Sequence, residues 1–374
     1  MTAVRLEPID YAHVAGWSHD DHAAAFAVFQ KCAEVLGQLD LPPDAFPGWL
    51  AAAAAASCHL PAQLNTDHAR AFFERHFSPY LVRATTTADQ EGLLTGYFEP
   101  ELEASMTQSD AFPVPLYARP PDLVDCIRPE ERGARNGQMT HARRDGSAVV
   151  PYWTRAEIER GAIAGHCRVI CYLSDPVDAF VLHVQGSGVL SFEGGRRRMR
   201  VTYDGKNGHP YVSVGRLLID DGEFDASELT LDVLLTWLRQ HRARARNYIQ
   251  RNPSFIFFRE LSAAGGVESQ EALGVHQLPL VAGRSLAVDA SYIAIGTPVY
   301  VLATELKFAD GHTEARALAR LLIASDVGSA IQGPQRGDLF YGTGSEAGLA
   351  AGRTKHACRF VVLGPRHDHG SQNV

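Results

Sequence analysis

From Ser254 onward the chain is built of short apolar runs, most of them ended within a few residues by glycine, proline or aspartate. They are Ser254-Phe-Ile-Phe-Phe, Ser285 to Val288, Pro298-Val-Tyr-Val-Leu, Leu321-Leu-Ile-Ala and Arg359-Phe-Val-Val-Leu. Many short strands turned at glycine corners argue for a small barrel rather than a parallel sheet. This constraint orders everything upstream.

The N-terminal region reads as helical. His22-Ala-Ala-Ala-Phe-Ala-Val-Phe-Gln-Lys-Cys, Trp49-Leu followed by six alanines, and Asp67-His-Ala-Arg-Ala-Phe-Phe-Glu-Arg all favour helix. Leu41-Pro-Pro-Asp and Phe46-Pro-Gly separate the first from the second. Gly92-Leu-Leu-Thr-Gly-Tyr-Phe-Glu then reads as a strand stopped by Pro100. Residues from about 103 to 250 are richer in proline, glycine and arginine. Strands are expected at Ala179-Phe-Val-Leu-His-Val and Met199-Arg-Val-Thr-Tyr, with Gln185-Gly-Ser-Gly as a turn after the first. A helix is expected from Leu231 to a stop at Asn252-Pro253, carried by Leu231, Leu234, Leu235 and Leu238. His367-Asp-His-Gly-Ser-Gln-Asn-Val reads as a disordered polar tail.

Composition narrows the class. The 374 residues, 45% hydrophobic and 21% charged, suit a globular protein of two ordinary domains. With 35 basic against 43 acidic residues the net charge is −8, and the basic clusters at 196–200 and 239–246 lack interleaved aromatics, so nucleic acid is not an expected partner. No apolar stretch approaches the ~20 residues that span a bilayer, and the first residues carry neither a hydrophobic signal core nor a lipid-attachment cysteine. The six cysteines are too few and scattered for a disulfide scaffold. Cys167 and Cys171, next to His166, lack a second ligand pair and read as buried thiols, so no metal or other cofactor is expected. Cys32 and Cys58 fall on neighbouring expected helices and are able to pair in an exported protein.

Three aspartates stand out in the C-terminal part: Asp289 after Ser285-Leu-Ala-Val, Asp326 after Leu321-Leu-Ile-Ala-Ser, and Asp338 in Gly337-Asp-Leu-Phe-Tyr-Gly. Each sits where a strand ends or begins. Any one of them reads as a turn cap, but three in one glycine-rich segment point to a site. Asp326 is the sharpest, because Gly328 and Gly333 put no side chain in the way of a ligand. Asp326-Val-Gly-Ser is not an aspartic-protease loop, since Val327 replaces the hydroxyl residue and no second such loop exists. Gly342-Thr-Gly-Ser-Glu-Ala leaves too little chain for a dinucleotide fold and reads as a turn before a short helix. No nucleophile elbow, Walker loop or His-Glu-x-x-His pattern appears. His209, in Tyr203-Asp-Gly-Lys-Asn-Gly-His-Pro-Tyr, belongs to a string that suits a sugar and equally suits a satisfied polar turn.

Taken in order, Leu94-Thr-Gly-Tyr-Phe-Glu-Pro, Pro115-Leu-Tyr, His183-Val-Gln-Gly-Ser-Gly, Gly205-Lys-Asn-Gly-His-Pro-Tyr, Asn252-Pro-Ser-Phe-Ile-Phe-Phe and the three-aspartate block resemble the membrane-bound lytic murein transglycosylase A family over roughly residues 90 to 363. The resemblance implies a mainly β fold with N-terminal helices: a double-psi β-barrel domain interrupted by an inserted second β-domain, with a groove between them. It divides the chain into residues 1–102 (N-terminal helices and the first part of the barrel), 103–249 (the insert) and 250–374 (the rest of the barrel with the aspartates). It implies non-hydrolytic cleavage of the MurNAc–GlcNAc β-1,4 bond of peptidoglycan, leaving a 1,6-anhydro-MurNAc end, with Asp326 catalytic and Asp289 and Asp338 supporting. Expected substrate contacts are Thr95, Gly96, Tyr97, Gln185, Gly186, Ser187, Lys206, Asn207 and His209. The expected partner is the peptidoglycan glycan strand. The expected location is the periplasm, with any outer-membrane anchor carried by a segment absent from this chain. The resemblance also wants a strand at Ala317-Leu-Ala-Arg-Leu-Leu-Ile-Ala, which reads locally as helix.

The implied chemistry is coherent. Most glycosidases need two carboxylates, one of them to attack or to activate water. Attack by the substrate's own C6 hydroxyl needs no separate water and profits from effective molarities of order 10⁵ M or more. One carboxyl then protonates the leaving oxygen and afterwards accepts the C6 proton. Asp289 or Asp338 would supply a like charge or orient Asp326; the sequence leaves both open. Two other readings remain on the same barrel: a non-catalytic carbohydrate-binding or expansin-like wall-loosening module, and a hydrolytic endoglucanase that needs a second catalytic carboxylate.

Overall fold

The computed structural model describes residues 4–84, 91–127, 139–226, 228–261, 271–303, 306–307, 313–314 and 318–366. The chain divides into two compact units, 1–96 with 274–340 and 354–374, and 97–273 with 341–353.

The first unit is a barrel with three helices. Helix α1 (His22–Leu36) is capped by Asp21, whose carboxylate accepts from the Ala24 amide. Its buried Phe26 and Phe29 meet Phe72 and Phe73 of α3 (Thr66–His76), while α2 (Gly48–Cys58) lies against α1. The alanine run of α2 lets its backbone come close, because methyl side chains need little room. Eight strands form one sheet: β1 (Val4–Pro8), β2 (Ser78–Ala84), β3 (Gly92–Glu99), β4 (Ser285–Val288), β5 (Pro298–Ala303), β6 (Leu318–Asp326), β7 (Arg336–Thr343) and β8 (Lys355–Gly364). The order is β1-β2-β8-β5-β6-β4-β7-β3, and β3 pairs back onto β8, so the six strands β3 to β8 close into a ring. Strand β8 serves twice. Its first half pairs with β3 (Lys355↔Thr95 to Cys358↔Gly92), and its second half with β2 (Leu81↔Val361 to Ser78↔Gly364). Closure removes the open edges that would otherwise invite pairing with another chain. Leu286, Val299, Tyr300, Leu321, Ile323, Phe360 and Leu363 are fully buried.

Of the residues that read as helix before Asp326, 318–324 belong to strand β6, held by β5 on one side and β4 on the other, and Ala317 lies outside the described residues. Pairing on both edges overrides a weak local preference. The expected strands at Ser285, Pro298 and Arg359 are all present, as are the three N-terminal helices.

The second unit has a six-stranded sheet ordered Ile256–Leu261, Arg197–Lys206, Ser187–Phe192, Glu101–Ser105, Val169–Leu173, Val114–Tyr117, over a core that includes Leu116, Leu182, Leu190, Val201 and Phe258. The expected strand at Ala179–Val184 is instead part of a helix, Pro176–Gln185. Asp175 caps the Val177 amide, Pro176 opens the first turn and Gly186 ends it at φ 87°. These end signals outweigh the β-forming preference of Phe180, Val181 and Val184. The single helix expected from Leu231 is two, Leu231–Gln240 and Arg242–Arg251, broken at His241 (φ −116°, ψ 51°) and stopped at Asn252. The strand expected from Ser254 begins at Ile256, and a helix Ser345–Arg353 does follow the glycine turn. All six cysteines are free thiols; Cys32 is buried and Cys58 exposed, and Cys167 and Cys171 are buried. The tail at 367–374 lies outside the described residues.

Candidate functional site

Strand β4 lies between β6 and β7, and its Ala287 is in register with Asp326 on one side and Asp338 on the other. Residues directly opposite in a ladder project to the same face, and neighbouring strands lie about 4.8 Å apart. Asp326 and Asp338 therefore flank Ala287 from its two neighbouring strands, beside a residue whose side chain is only a methyl. The β4–β6 pairing shifts register between Leu286 and Ala287, which bends the ladder where Asp326 ends β6. Asp289 follows β4 directly, so the three aspartates meet at one end of the same three strands.

Their environments differ. Asp326 is half-buried, and its Oδ1 accepts from the amides of Val275 (3.1 Å) and Val327 (2.9 Å). Asp289 is only 3% exposed. Its Oδ1 accepts from the amide (3.1 Å) and hydroxyl (2.6 Å) of Ser291, and its Oδ2 from the Gly333 amide (2.7 Å). Gly333 has φ 112°, a left-handed conformation that favours glycine, so the loop from 327 to 335 is tied down at a residue chosen by backbone geometry. Asp338 is half-buried and takes a short hydrogen bond, 2.5 Å, from the Thr95 hydroxyl. Burial pushes its carboxyl up to about 6, against the opposing pull of the Thr95 hydrogen bond and the Arg336 charge. The three carboxyls thus divide into a braced one, a clasp and one whose affinity for a proton burial raises.

Thr95, on β3, joins this group through Asp338, and Gly96 follows it. Tyr97 is buried and begins the second unit. The remaining expected contacts belong to that unit. Gln185 accepts from the Phe98 amide at 3.0 Å, Gly186 caps the helix before it, and Ser187 is buried at the start of its strand. Lys206 and Asn207 were expected to meet a ligand, but both are buried. Asn207 is 1% exposed: its amide group donates to Trp153 O and Pro253 O and accepts from Phe255 N, so its side chain faces inward as a clasp. His209 is half-buried, with Nε2 2.8 Å from Tyr152 O. Sequence reading missed Val275 and Ser291. Ser291, two residues after Asp289, carries an Asx-turn signal, whereas Val275 contributes a backbone amide that no residue type reveals. Among the described residues, no three His, Cys, Asp or Glu side chains converge as a metal-ion ligand set.

Residues 93–259 match the family model described as the MltA specific insert domain, and residues 284–364 match the 3D domain, which spans all three aspartates. The chain is thus a 3D-domain barrel protein carrying an MltA-type insert. It is 34% identical over 272 residues to the membrane-bound lytic murein transglycosylase A of Escherichia coli (strain K12), covering 72% of this chain and 64% of that relative. The crystal structure of a membrane-bound lytic murein transglycosylase from Agrobacterium tumefaciens superposes with a TM-score of 0.82 at 31% identity, covering 96% of this chain and 98% of that one. The structure of E. coli MltA with bound chitohexaose has a TM-score of 0.66 at 28% identity, covering 97% and 92%. The chain belongs to the membrane-bound lytic murein transglycosylase A family.

Proposed function

We propose that this protein is a peptidoglycan lytic transglycosylase that cleaves the MurNAc–GlcNAc β-1,4 bond and leaves a 1,6-anhydro-MurNAc end. Asp326 is the acid that protonates the leaving oxygen and then the base that accepts the C6 proton. The observation that carries the reading is the position of Asp326 at a strand end, braced by two backbone amides beside the glycine-rich loop 327–335. A braced carboxyl keeps one geometry while substrate approaches, as an acid serving two successive proton transfers must. Asp289 holds the loop, and Asp338, with its raised affinity for a proton, tunes the charge around Asp326.

The substrate is a glycan strand, a reading supported by the chitohexaose held in the E. coli relative. Thr95, Gly96 and Tyr97 are assigned to the sugar path beside Asp338. Gln185, Gly186 and His209 are assigned to a second polar surface, for which the buried Ser187, Lys206 and Asn207 serve as internal support. The insert is assigned to residues 103–249, which lie inside the compact unit formed by 97–273 with 341–353, and the place of action is the periplasm. No described helix is long and apolar enough to cross a membrane. Incubation with purified murein sacculi tests the whole reading: anhydro-muropeptides detected by mass spectrometry support it. Reducing ends would instead indicate a hydrolase, and intact sacculi with bound protein a wall-binding module.

A further inference from the structure

The segment Gly274-Val-His-Gln-Leu folds into a closed turn pressed against the end of β6. The Gly274 amide donates to Leu278 O (2.9 Å), the Gln277 amide to Gly274 O (3.2 Å) and the Leu278 amide to Val275 O (3.1 Å). Between the buried anchors Val275 and Leu278, His276 (φ 56°) and Gln277 (φ 62°) both adopt left-handed backbone, which L side chains disfavour. Two such residues in succession persist only where the surroundings over-determine them, and such strain gathers at functional sites. At Gly274 a Cβ atom would overlap the Ser325 carbonyl oxygen and lie 3.1 Å from Cγ of Asp326. The close approach therefore requires glycine, and its product is the hydrogen bond from the Val275 amide to Asp326 Oδ1.

We propose that the Gly274–Leu278 turn is a positioning element for the reaction, with Val275 its working residue. Its amide and that of Val327 both donate to Oδ1, so the turn helps to fix the orientation of the Asp326 carboxyl. This inference rests on the reading of Asp326 as the acid. Val275 acts through Asp326 and touches no substrate.

Val275→Pro tests it in the full-length protein. Proline deletes the N–H, and it suits the first position of a helical turn after an extended residue such as Gly274 (φ −91°, ψ −155°). The amide has Asp326 as its partner, so its loss should fall on the carboxyl. We expect kcat on sacculi to fall about 10- to 100-fold with KM within about twofold, as misplacement of a catalytic group does. Val275→Ala, which keeps the N–H, should retain more than half of wild-type kcat. A carbon-13 titration of the Asp326 carboxyl, assigned by its loss in Asp326→Asn, should shift its midpoint upward by about one pH unit in Val275→Pro, because one donor to the ionised form is gone. The titratable and charged groups around it, His276 of the turn itself and Asp289, Asp338 and Arg336 of the sheet end, are unsubstituted in both variants. If Val275→Pro does not fold, an amide-to-ester replacement at Val275 removes the same hydrogen with the side chain kept. Wild-type kcat together with an unmoved titration overturns the inference. Wild-type protein that leaves sacculi intact overturns the functional reading instead, and the titration still reports on Val275.

Discussion

The Thr95 hydroxyl donates to Oδ1 of Asp338 across 2.5 Å, joining strand β3 to the neighbouring β7 at the end of the barrel where the aspartates gather. This hydrogen bond favours the ionised carboxyl, yet burial outweighs it and leaves Asp338 titrating at about 6 instead of 3.8. The sign of the consequence is opposite to that of an ordinary surface aspartate.

A carboxyl whose folded pKa is raised stabilises the fold below its unfolded pKa and loses that contribution as pH rises through the folded value. For Asp338 the loss runs from about pH 4 to pH 6. Asp338→Asn, which keeps an oxygen for Thr95, should therefore match wild type near pH 4 and exceed it by about 1–2 kcal/mol at pH 7–8. Thermal melts across this range check it; a gap that shrinks or reverses with rising pH would refute the assignment.

Asp326→Asn should abolish turnover while leaving fold and sacculus binding intact. The amide keeps the shape of the carboxyl but cannot deliver its proton, so the loss is at least the ~10²-fold typical of general acid catalysis. Retention of a tenth of wild-type release of anhydro-muropeptides would remove Asp326 from that role.

Asp289→Ala releases Ser291 and Gly333 together. Hydrogen bonds to a charged acceptor are worth about 1.5–3 kcal/mol, so the melting temperature should fall and the Gly333 amide should exchange faster. Unchanged exchange at Gly333 would show that the loop is held by something else.

Asn207→Ala takes a donor from the Trp153 carbonyl and an acceptor from the buried Phe255 amide, while Pro253 O keeps the Arg155 amide, and should cost about 1–3 kcal/mol of stability. The folded protein should still bind chitohexaose with unchanged affinity. An intact melting temperature with weakened binding would return Asn207 to the list of ligand contacts.

Activity should survive EDTA. An attacking hydroxyl carried by the substrate itself needs no activated water and hence no Lewis acid. Activity lost to chelation and restored by a divalent ion would contradict internal attack.

Much of this was legible in residue order. Short runs between glycines revealed the barrel strands, because period-two burial and corner residues are local properties. The three aspartates were visible for the same reason, each lying at a strand limit. What stayed hidden was long-range. The helix Pro176–Gln185 carries β-forming residues, and only its ends declare it. Strand β6 looks helical until β5 and β4 pair with it. The inward turn of Asn207 depends on Trp153 and Pro253, and the amide of Val275 meets Asp326 across 51 positions, beyond any motif.

Strand β8 closes the ring by meeting β3 at Thr95, far away in the sequence. A ribosome makes β3 well before β8, so the ring stays open until β8 emerges and closes only by a contact of very high sequence separation. Until then β3 lacks one of its two neighbours and Thr95 has no settled position from which to hold Asp338. The carboxyl cluster is therefore assembled only after residues 355–364 have been made, and a chain cut before them carries the aspartates without the enclosure that sets their chemistry.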